Sequence, residues 1–231
     1  MCGRLHIRAA DVTQMLLEFL DLIHEGPDNL NAAPTEEIFV LVSDAAGAVS
    51  LQPMRWWLTP SWAKAPSTRY SMFNAKSETA ATLPSFREPY KHRRCVVPVS
   101  GFYEWARRQG HKQAYFLRSA ENAGLLLAGL WDRWQGQDQA GQTQRFDSFT
   151  ILTGAASDSM QALHHRQPVI LNNQQAQRWL DPSVATTELE SYFAPQLSVS
   201  ISALPVSSWV NNARNKDARC EQGLGEALLL S

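Results

Sequence analysis

The sequence has 231 residues, of which 44% are hydrophobic and 19% are charged, and its formal net charge is -1. This composition excludes an intrinsically disordered chain, and the length suits one β-rich domain over residues 1–231. No apolar run is long enough for a secretory signal or a membrane span, so we expect a cytoplasmic protein without a membrane partner.

Helical periodicity comes first along the chain: apolar residues recur at helical spacing over residues 11–23, and Gly26-Pro27 then stops the run. Short β-type runs follow, and they predict strands at residues 38–43, 49–57, 95–99, 114–118, 125–131, 146–153, 168–171 and 198–202. Weaker patterns predict helices at residues 158–163, 174–180 and 187–193. Turn-forming residues at 106–112 and 135–142 indicate hairpins. We therefore predict an α+β fold, a barrel-like antiparallel or mixed sheet flanked by short helices.

The cysteines exclude two common kinds of site. Cys2, Cys95 and Cys220 are an odd number without metal-ligand spacing, so we predict no disulfide framework and no metal site. We also expect no cofactor. Cys95 lies in an apolar run and is predicted to be buried. Cys220 belongs to a polar tail after Asn211, which we expect to lie on the surface.

Charge is unevenly distributed along the chain. Residues 55–118 contain twelve Lys or Arg and three acidic residues, so this segment carries +9 and the remainder carries -10. A basic segment in an otherwise acidic protein can bind phosphates if the fold gathers its side chains on one face. A solvated basic surface without a partner is the alternative that the sequence leaves open.

The Met-Cys-Gly start is the first candidate for chemistry. Removal of Met1 would leave Cys2 with a free α-amine and a thiol on one residue, and such a pair converts an aldehyde to an imine and then to a five-membered thiazolidine. Ordinary pKa values of about 8 for the amine and about 8.5 for the thiol would leave both groups partly nucleophilic near neutral pH. An abasic deoxyribose in its open-chain form supplies such an aldehyde.

Nine segments in a fixed order carry a family resemblance. They are MCGR (1–4), NAAPT (31–35), WLTPSW (57–62), FNAKSET (73–79), CVVPVSGFYEW (95–105), AGLW (128–131), FTILT (149–153), LHHRQPVIL (163–171) and PVS (205–207). Together they resemble the SOS-response-associated peptidase (SRAP) family over almost the whole chain. The resemblance implies a covalent thiazolidine crosslink between Cys2 and abasic sites in single-stranded DNA, formed in the DNA damage response. We expect a monomer.

The resemblance also implies roles for particular side chains. Carried over by motif, the catalytic residues are Cys2, Asn74, Glu104 and His164, with Asn74 as an orienting amide and the other two as proton carriers. Each has a structural alternative: Asn74 as a turn residue, Glu104 as a strand carboxylate paired with an arginine, and His164 as a satisfied histidine. His165 is the less favoured of the two adjacent histidines.

DNA contacts are implied for five further residues. They are Arg4, Pro34, Trp62, Lys76 and Arg166, with the cations on phosphates and Trp62 as a stacking surface whose alternative is a core position. Weaker candidates are Arg55, Trp56, Arg87 and Arg93. Replication-fork proteins are a further class of partner that the sequence leaves open.

Three positions depart from the family pattern, which usually has Gly at Trp57, Arg at Lys76 and Met or Arg at Gln167. Lysine keeps the charge but loses the bidentate fork of arginine. Two other functions also remain open. One is an amino-terminal cysteine peptidase or amidohydrolase that removes its own Met1. The other is a noncovalent reader of single-stranded or modified DNA. A lyase-like β-elimination through the same imine would accompany the crosslinking function.

Overall fold

The computed structural model of the protein describes residues 2–108, 110–121, 124–137 and 141–231. Over these residues the strands are, in chain order, β1 (Leu5–Ile7), β2 (Asn29–Ala32), β3 (Glu37–Ser43), β4 (Val49–Trp56), β5 (Asn74–Lys76), β6 (Arg94–Val99), β7 (Gly101–Arg108), β8 (His111–Ser119), β9 (Leu125–Gln137), β10 (Thr143–Ala155), β11 (Arg166–Pro168), β12 (Ile170–Leu171), β13 (Ile201–Val206) and β14 (Leu228–Leu230). The α-helices are α1 (Ala9–Leu20), α2 (Ser77–Ala80), α3 (Arg87–His92), α4 (Asp158–Gln161), α5 (Asn173–Leu180) and α6 (Thr186–Leu189). Short 3₁₀ turns are Glu190–Phe193, Ser208–Asn211 and Ala218–Glu221.

The strands form two sheets. One has the order β14-β13-β8-β7-β1-β2 and is antiparallel throughout. The other runs β11-β10-β4-β3-β6-β9-β12, with β5 also on β10, and pairing between β9 and β10 closes β10, β4, β3, β6 and β9 into a five-stranded barrel. Because β4 and β5 run parallel to β10, this sheet is mixed. The predicted α+β, barrel-like fold is confirmed.

Barrel closure depends on a close approach at Gly129. This residue of β9 pairs with Cys95 of β6 on one side and with Ile151 of β10 on the other. A Cβ at Gly129 would lie 2.8 Å from the Cys95 sulfur and 3.0 Å from the carbonyl oxygen of Thr150, so any larger residue would push the strands apart. Cys95 is fully buried here, as predicted.

The two sheets bury one large apolar cluster, to which α1 contributes Val12, Met15, Leu16 and Phe19. The predicted first helix therefore exists, but it ends at Leu20 and not at residue 23. Asp21 adopts a left-handed conformation with φ 57° and stops the helix, and the side chain of Ile23 is left exposed. No helix in the described part of the chain is long and apolar enough to cross a membrane.

Most predicted strands lie within observed ones, and the run predicted at 198–202 lies further along, at Ile201–Val206. The hairpins predicted at 106–112 and 135–142 correspond to the antiparallel pairs β7–β8 and β9–β10, although residues 109 and 138–140 of those turns lie outside the described residues. Met1, whose removal we predict, also lies outside them. The sequence did not indicate the three-residue strands β1, β5 and β14.

The segment after Asn211 is mostly exposed, but it is attached to the first sheet at several points. Cys220 is fully buried, contrary to the surface position expected for it, and Leu230 is buried in β14 beside β13. Glu221 pairs with His6 at 3.0 Å and with Arg8. The tail thereby covers strand β1, which follows Cys2.

Candidate functional site

Cys2 lies just before β1, and its side chain is fully buried at 0% exposure. The side-chain amide Nδ2 of Asn74 donates a hydrogen bond of 2.7 Å to the carbonyl oxygen of Cys2. Asn74 begins β5, and its pairing with Ile151 of β10 fixes the backbone from which this amide projects. Asn74 is thus a strand residue bound to Cys2, and the turn-residue alternative is wrong.

Glu104 lies in β7, beside the chain that leads from Cys2 into β1. The amide of Tyr103 donates to the carbonyl oxygen of Arg4 at 3.0 Å, which holds β7 against this segment. The Glu104 side chain is buried, and its Oε1 accepts a hydrogen bond from the amide of Trp105 at 3.1 Å. Its carboxylate is close enough to Cys2 to raise the pKa of the Cys2 thiol.

His164 lies between α4 and β11 and is partly buried. Nδ1 of His164 lies 3.0 Å from the amide nitrogen of Arg166 and 3.1 Å from its carbonyl oxygen, so it accepts from the amide in one tautomer and donates to the carbonyl group in the other. Burial lowers the pKa of His164, and the Glu104 carboxylate opposes that shift. His165 stacks on His164 with ring centroids 4.3 Å apart, and its own side chain is exposed.

The structure therefore brings Cys2, Asn74, Glu104 and His164 to one place, although they lie on four separate parts of the fold. One expectation about their chemistry is wrong. Burial, aided by the Glu104 carboxylate, raises the pKa of the Cys2 thiol well above its ordinary value. The resting thiol is protonated at neutral pH, so its attack needs a neighbouring group that accepts the proton.

The five residues predicted to contact DNA differ in how accessible they are. Trp62 is 65% exposed, so the core alternative is wrong, and its indole Nε1 donates to the carbonyl oxygen of Pro84 at 3.3 Å. Lys76 is exposed at the end of β5, and Pro34 is half-buried in the turn before β3. These three positions leave room for a ligand.

The two arginines are engaged with the protein. Arg4 Nη1 donates to Asn31 Oδ1 at 2.8 Å and to the carbonyl oxygen of Val210 at 3.0 Å. Arg166 forms a two-bond pair with Glu78, with Nη1–Oε1 at 2.5 Å and Nη2–Oε2 at 2.9 Å. Both guanidinium groups are therefore fixed in place by the fold before any nucleic acid arrives.

The basic segment does not form one uniform surface. Arg94 is buried at 7% exposure and donates only to backbone carbonyl groups, those of Trp179, Lys91, Asp181 and Val184. Arg93 pairs with the buried Asp132 at 3.1 Å, whereas Arg87 is exposed. Trp56, a weaker DNA candidate, is fully buried, so that prediction is wrong. The count of basic residues in the 55–118 segment therefore overstated the number of cations available to phosphates.

The profile of the SOS response associated peptidase (SRAP) family matches residues 1–213. The chain belongs to this family. It is 31% identical over 223 residues to the abasic site processing protein YoaM of Bacillus subtilis, an alignment that covers 94% of this chain and 96% of YoaM. It is 34% identical over 194 residues to the abasic site processing protein HMCES of Gallus gallus, covering 74% of this chain and 56% of that protein.

Two solved structures share the fold of this chain. A protein from Bacteroides thetaiotaomicron has a TM-score of 0.79 at 21% identity, covering 96% of this chain and 99% of its own. A protein from Bordetella bronchiseptica has a TM-score of 0.75 at 22% identity and covers 89% of this chain. At these identities the likeness concerns the fold alone.

Two of the departures from the SRAP pattern have structural roles here. Gln167 is buried, where its Oε1 accepts from the amide of Ser157 at 2.9 Å and its Nε2 donates to the carbonyl oxygen of Gln196 at 2.9 Å. Trp57 packs against Phe73 with ring centroids 5.3 Å apart, and Phe73 immediately precedes Asn74 in the chain. Gln167 and Trp57 therefore contact other parts of the protein around the site.

Two residues inside the SRAP motifs received no role from the sequence. Asn31 is fully buried and donates to the carbonyl oxygens of Val210, Asn212 and Asn215 while accepting from Arg4. Glu78 makes the pair with Arg166. In the sequence, the only indication of a role for Asn31 and Glu78 was their position in the NAAPT and FNAKSET motifs.

In the described part of the chain, no group of three or more His, Cys, Asp or Glu is placed to hold a metal ion.

Proposed function

We propose that this protein processes abasic sites in single-stranded DNA by forming a covalent thiazolidine with Cys2 after removal of Met1, as part of the DNA damage response. The curated relatives bear the name of abasic site processing proteins, which supports the substrate class. The observation that carries the proposal is the 2.7 Å hydrogen bond from Asn74 to Cys2 beside the buried Glu104.

The first step uses the α-amine of Cys2. Its nitrogen lone pair adds to the aldehyde carbon of the ring-opened sugar, and the resulting carbinolamine loses one water molecule to give the imine. The imidazole of His164 is suited to protonating the departing hydroxyl group. The buried Oδ1 of Asn74 has no hydrogen-bond partner among the described residues, so it is suited to accept a hydrogen bond from the amine or the sugar.

The second step uses the thiol. Sulfur bonds to the imine carbon as the thiol proton passes to a neighbouring base, for which the Glu104 carboxylate is suited, and the imine nitrogen takes up a proton. Because amine and thiol belong to one residue, ring closure is intramolecular and has a high effective concentration. The raised pKa of the Cys2 thiol makes the amine the first nucleophile and prevents wasteful reaction of a free thiolate.

DNA binding is assigned to the accessible groups. Lys76 offers a charge to a phosphate, Trp62 offers a face on which a base can stack, and Pro34 packs beside the lesion. Arg4 contributes a fixed positive charge, whereas Glu78 neutralises the charge of Arg166.

The test uses a single-stranded oligonucleotide with one abasic site, run on a denaturing gel. Wild-type protein should give a stable shifted band, and the same oligonucleotide without the lesion should give none. Cys2→Ala should give no thiazolidine. Cys2→Ser, which keeps the amine and lacks sulfur, should give an adduct that survives only after borohydride reduction of the imine.

The same experiment separates the other two functions. Noncovalent binding without any adduct in the wild-type protein would support the DNA reader and sink the crosslinking proposal. Cys2-dependent amide hydrolysis, together with retention of Met1 in Glu104→Gln protein by mass spectrometry, would support the peptidase.

A further inference from the structure

The side chain of Glu78 connects the two parts of the fold that carry Asn74 and His164. Glu78 lies in the first turn of α2, which follows directly from β5 and therefore from Asn74. Arg166 begins β11, two residues after His164. An ion pair between Glu78 and Arg166 thus spans the site between its amide and its imidazole.

The geometry of this pair is that of a rigid fork. Two nearly parallel hydrogen bonds of 2.5 and 2.9 Å join the guanidinium to both carboxylate oxygens. Arg166 Nη2 also donates to the backbone carbonyl of Thr153, in the strand that lies between β5 and β11. The Arg166 side chain is only 12% exposed, while that of Glu78 is 50% exposed.

Arg166 transmits this constraint to His164 through its backbone. Nδ1 of His164 lies within hydrogen-bond distance of both the amide nitrogen of Arg166, at 3.0 Å, and its carbonyl oxygen, at 3.1 Å, so the Arg166 backbone holds the imidazole in either tautomer. Glu78, Arg166 and His164 therefore form a continuous chain of directional contacts that begins next to Asn74, the residue bound to Cys2. Moving the guanidinium would move the Arg166 backbone that orients the imidazole.

We propose that Glu78 is a positioning residue, whose fork with Arg166 clamps the Asn74 strand to the His164 segment and so sets the approach of His164 to Cys2. In this clamp of Glu78 and Arg166, the guanidinium binds protein groups and not DNA, because Nη1 and Nη2 are bound and Nε is buried without a partner among the described residues. This inference rests on the proposed function for its kinetic consequence, but its structural content is independent of it.

The test compares Glu78→Gln with Glu88→Gln, which removes an exposed acid that makes only long contacts of 3.9 and 4.0 Å with Arg87 and Lys91. At saturating abasic oligonucleotide, Glu78→Gln should slow crosslinking roughly ten- to hundred-fold because a small misplacement of a reacting group has such an effect. Affinity for intact oligonucleotide, measured in a Cys2→Ala background, should stay within about two-fold or tighten, since a negative charge is removed. Glu88→Gln should leave both unchanged.

A second readout needs no DNA. NMR titration of the His164 ring, assigned with His164→Gln, reports the environment that burial, Glu104 and His165 create. Loosening the clamp admits water, so the pKa of His164 should rise toward its ordinary value in Glu78→Gln and stay unchanged in Glu88→Gln. If the wild type forms no adduct, the proposed function fails, and this titration alone decides the clamp.

Conservative variants complete the test. Arg166→Lys keeps the charge but loses the fork, so it should resemble Glu78→Gln, and the double variant should be no slower than the worse single one. Glu78→Asp serves in its place if Glu78→Gln does not fold. An unchanged rate and an unchanged His164 titration, or weaker DNA binding at an unchanged rate, would overturn the clamp.

Discussion

Asn74 Nδ2 lies 2.7 Å from the carbonyl oxygen of Cys2, and both residues are buried. In Asn74→Asp the donor becomes an acceptor that faces the carbonyl oxygen. We expect a loss of about 1–3 kcal/mol in the free energy of unfolding and a slower crosslinking reaction. Urea denaturation and the gel assay measure the two effects. The exposed Asn173→Asp is the control, and equal behaviour of the two variants would contradict an orienting role for Asn74.

Glu104→Gln should make the Cys2 thiol easier to alkylate but slow its crosslinking to DNA. Burial and the Glu104 carboxylate both raise the pKa of the Cys2 thiol, so removing the charge should lower that pKa. Alkylation of Cys2 by iodoacetamide, followed by mass spectrometry, should therefore begin at lower pH in the variant. Crosslinking should nevertheless slow, because the base that receives the thiol proton is lost. Faster crosslinking would show that Glu104 is not that base.

Trp62→Ala tests the stacking surface. Because Trp62 is largely exposed, the free energy of unfolding should change by no more than about 0.5 kcal/mol. Affinity for intact single-stranded DNA should fall roughly five- to 150-fold, the range that loss of one stacked base gives. Fluorescence anisotropy measures this change. Ile23→Ala, which removes another exposed apolar side chain, should leave affinity unaltered, and equal losses in both variants would argue against stacking.

Arg94→Lys tests whether this basic residue of the 55–118 segment stabilises the fold and takes no part in DNA binding. Lysine cannot reach the four carbonyl groups that the buried guanidinium satisfies, so unfolding should become easier by roughly 1–3 kcal/mol. DNA affinity of the folded protein should stay unchanged. The exposed Arg87→Lys should leave stability unchanged. A stable Arg94→Lys protein that binds DNA weakly would reverse this assignment.

His24 makes stability depend on pH. Burial lowers its pKa, and both ring nitrogens lack hydrogen-bond partners among the described residues. Below its ordinary value of 6.5 the unfolded chain takes up a proton that the folded chain resists, so stability falls as the pH falls through this range. His24→Leu should reduce the loss of stability between pH 7.5 and pH 5.5 in urea titrations. His164, whose pKa burial also lowers, supplies part of the remainder.

The sequence predicted the barrel well because its strands are local apolar runs. Residues 38–43, 95–99 and 125–131 carry enough β-branched and aliphatic side chains to identify β3, β6 and the first half of β9 without knowledge of their partners. By contrast, β1, β5 and β14 have three residues each and no pattern of their own. They are strands only because β7, β10 and β13 offer them an edge.

The motifs of the sequence predicted which residues form the candidate site, because the chemistry of an aminothiol, an amide, a carboxylate and an imidazole is carried by residue type. Tertiary structure alone decided their relationship. It placed Asn74 on Cys2, buried the thiol and so raised its pKa, and tied Arg166 to Glu78. It also buried Arg94 while leaving Arg87 exposed. The burial of a side chain and its pairing depend on residues distant in the chain, so the order and spacing of charged residues in the sequence could not predict them.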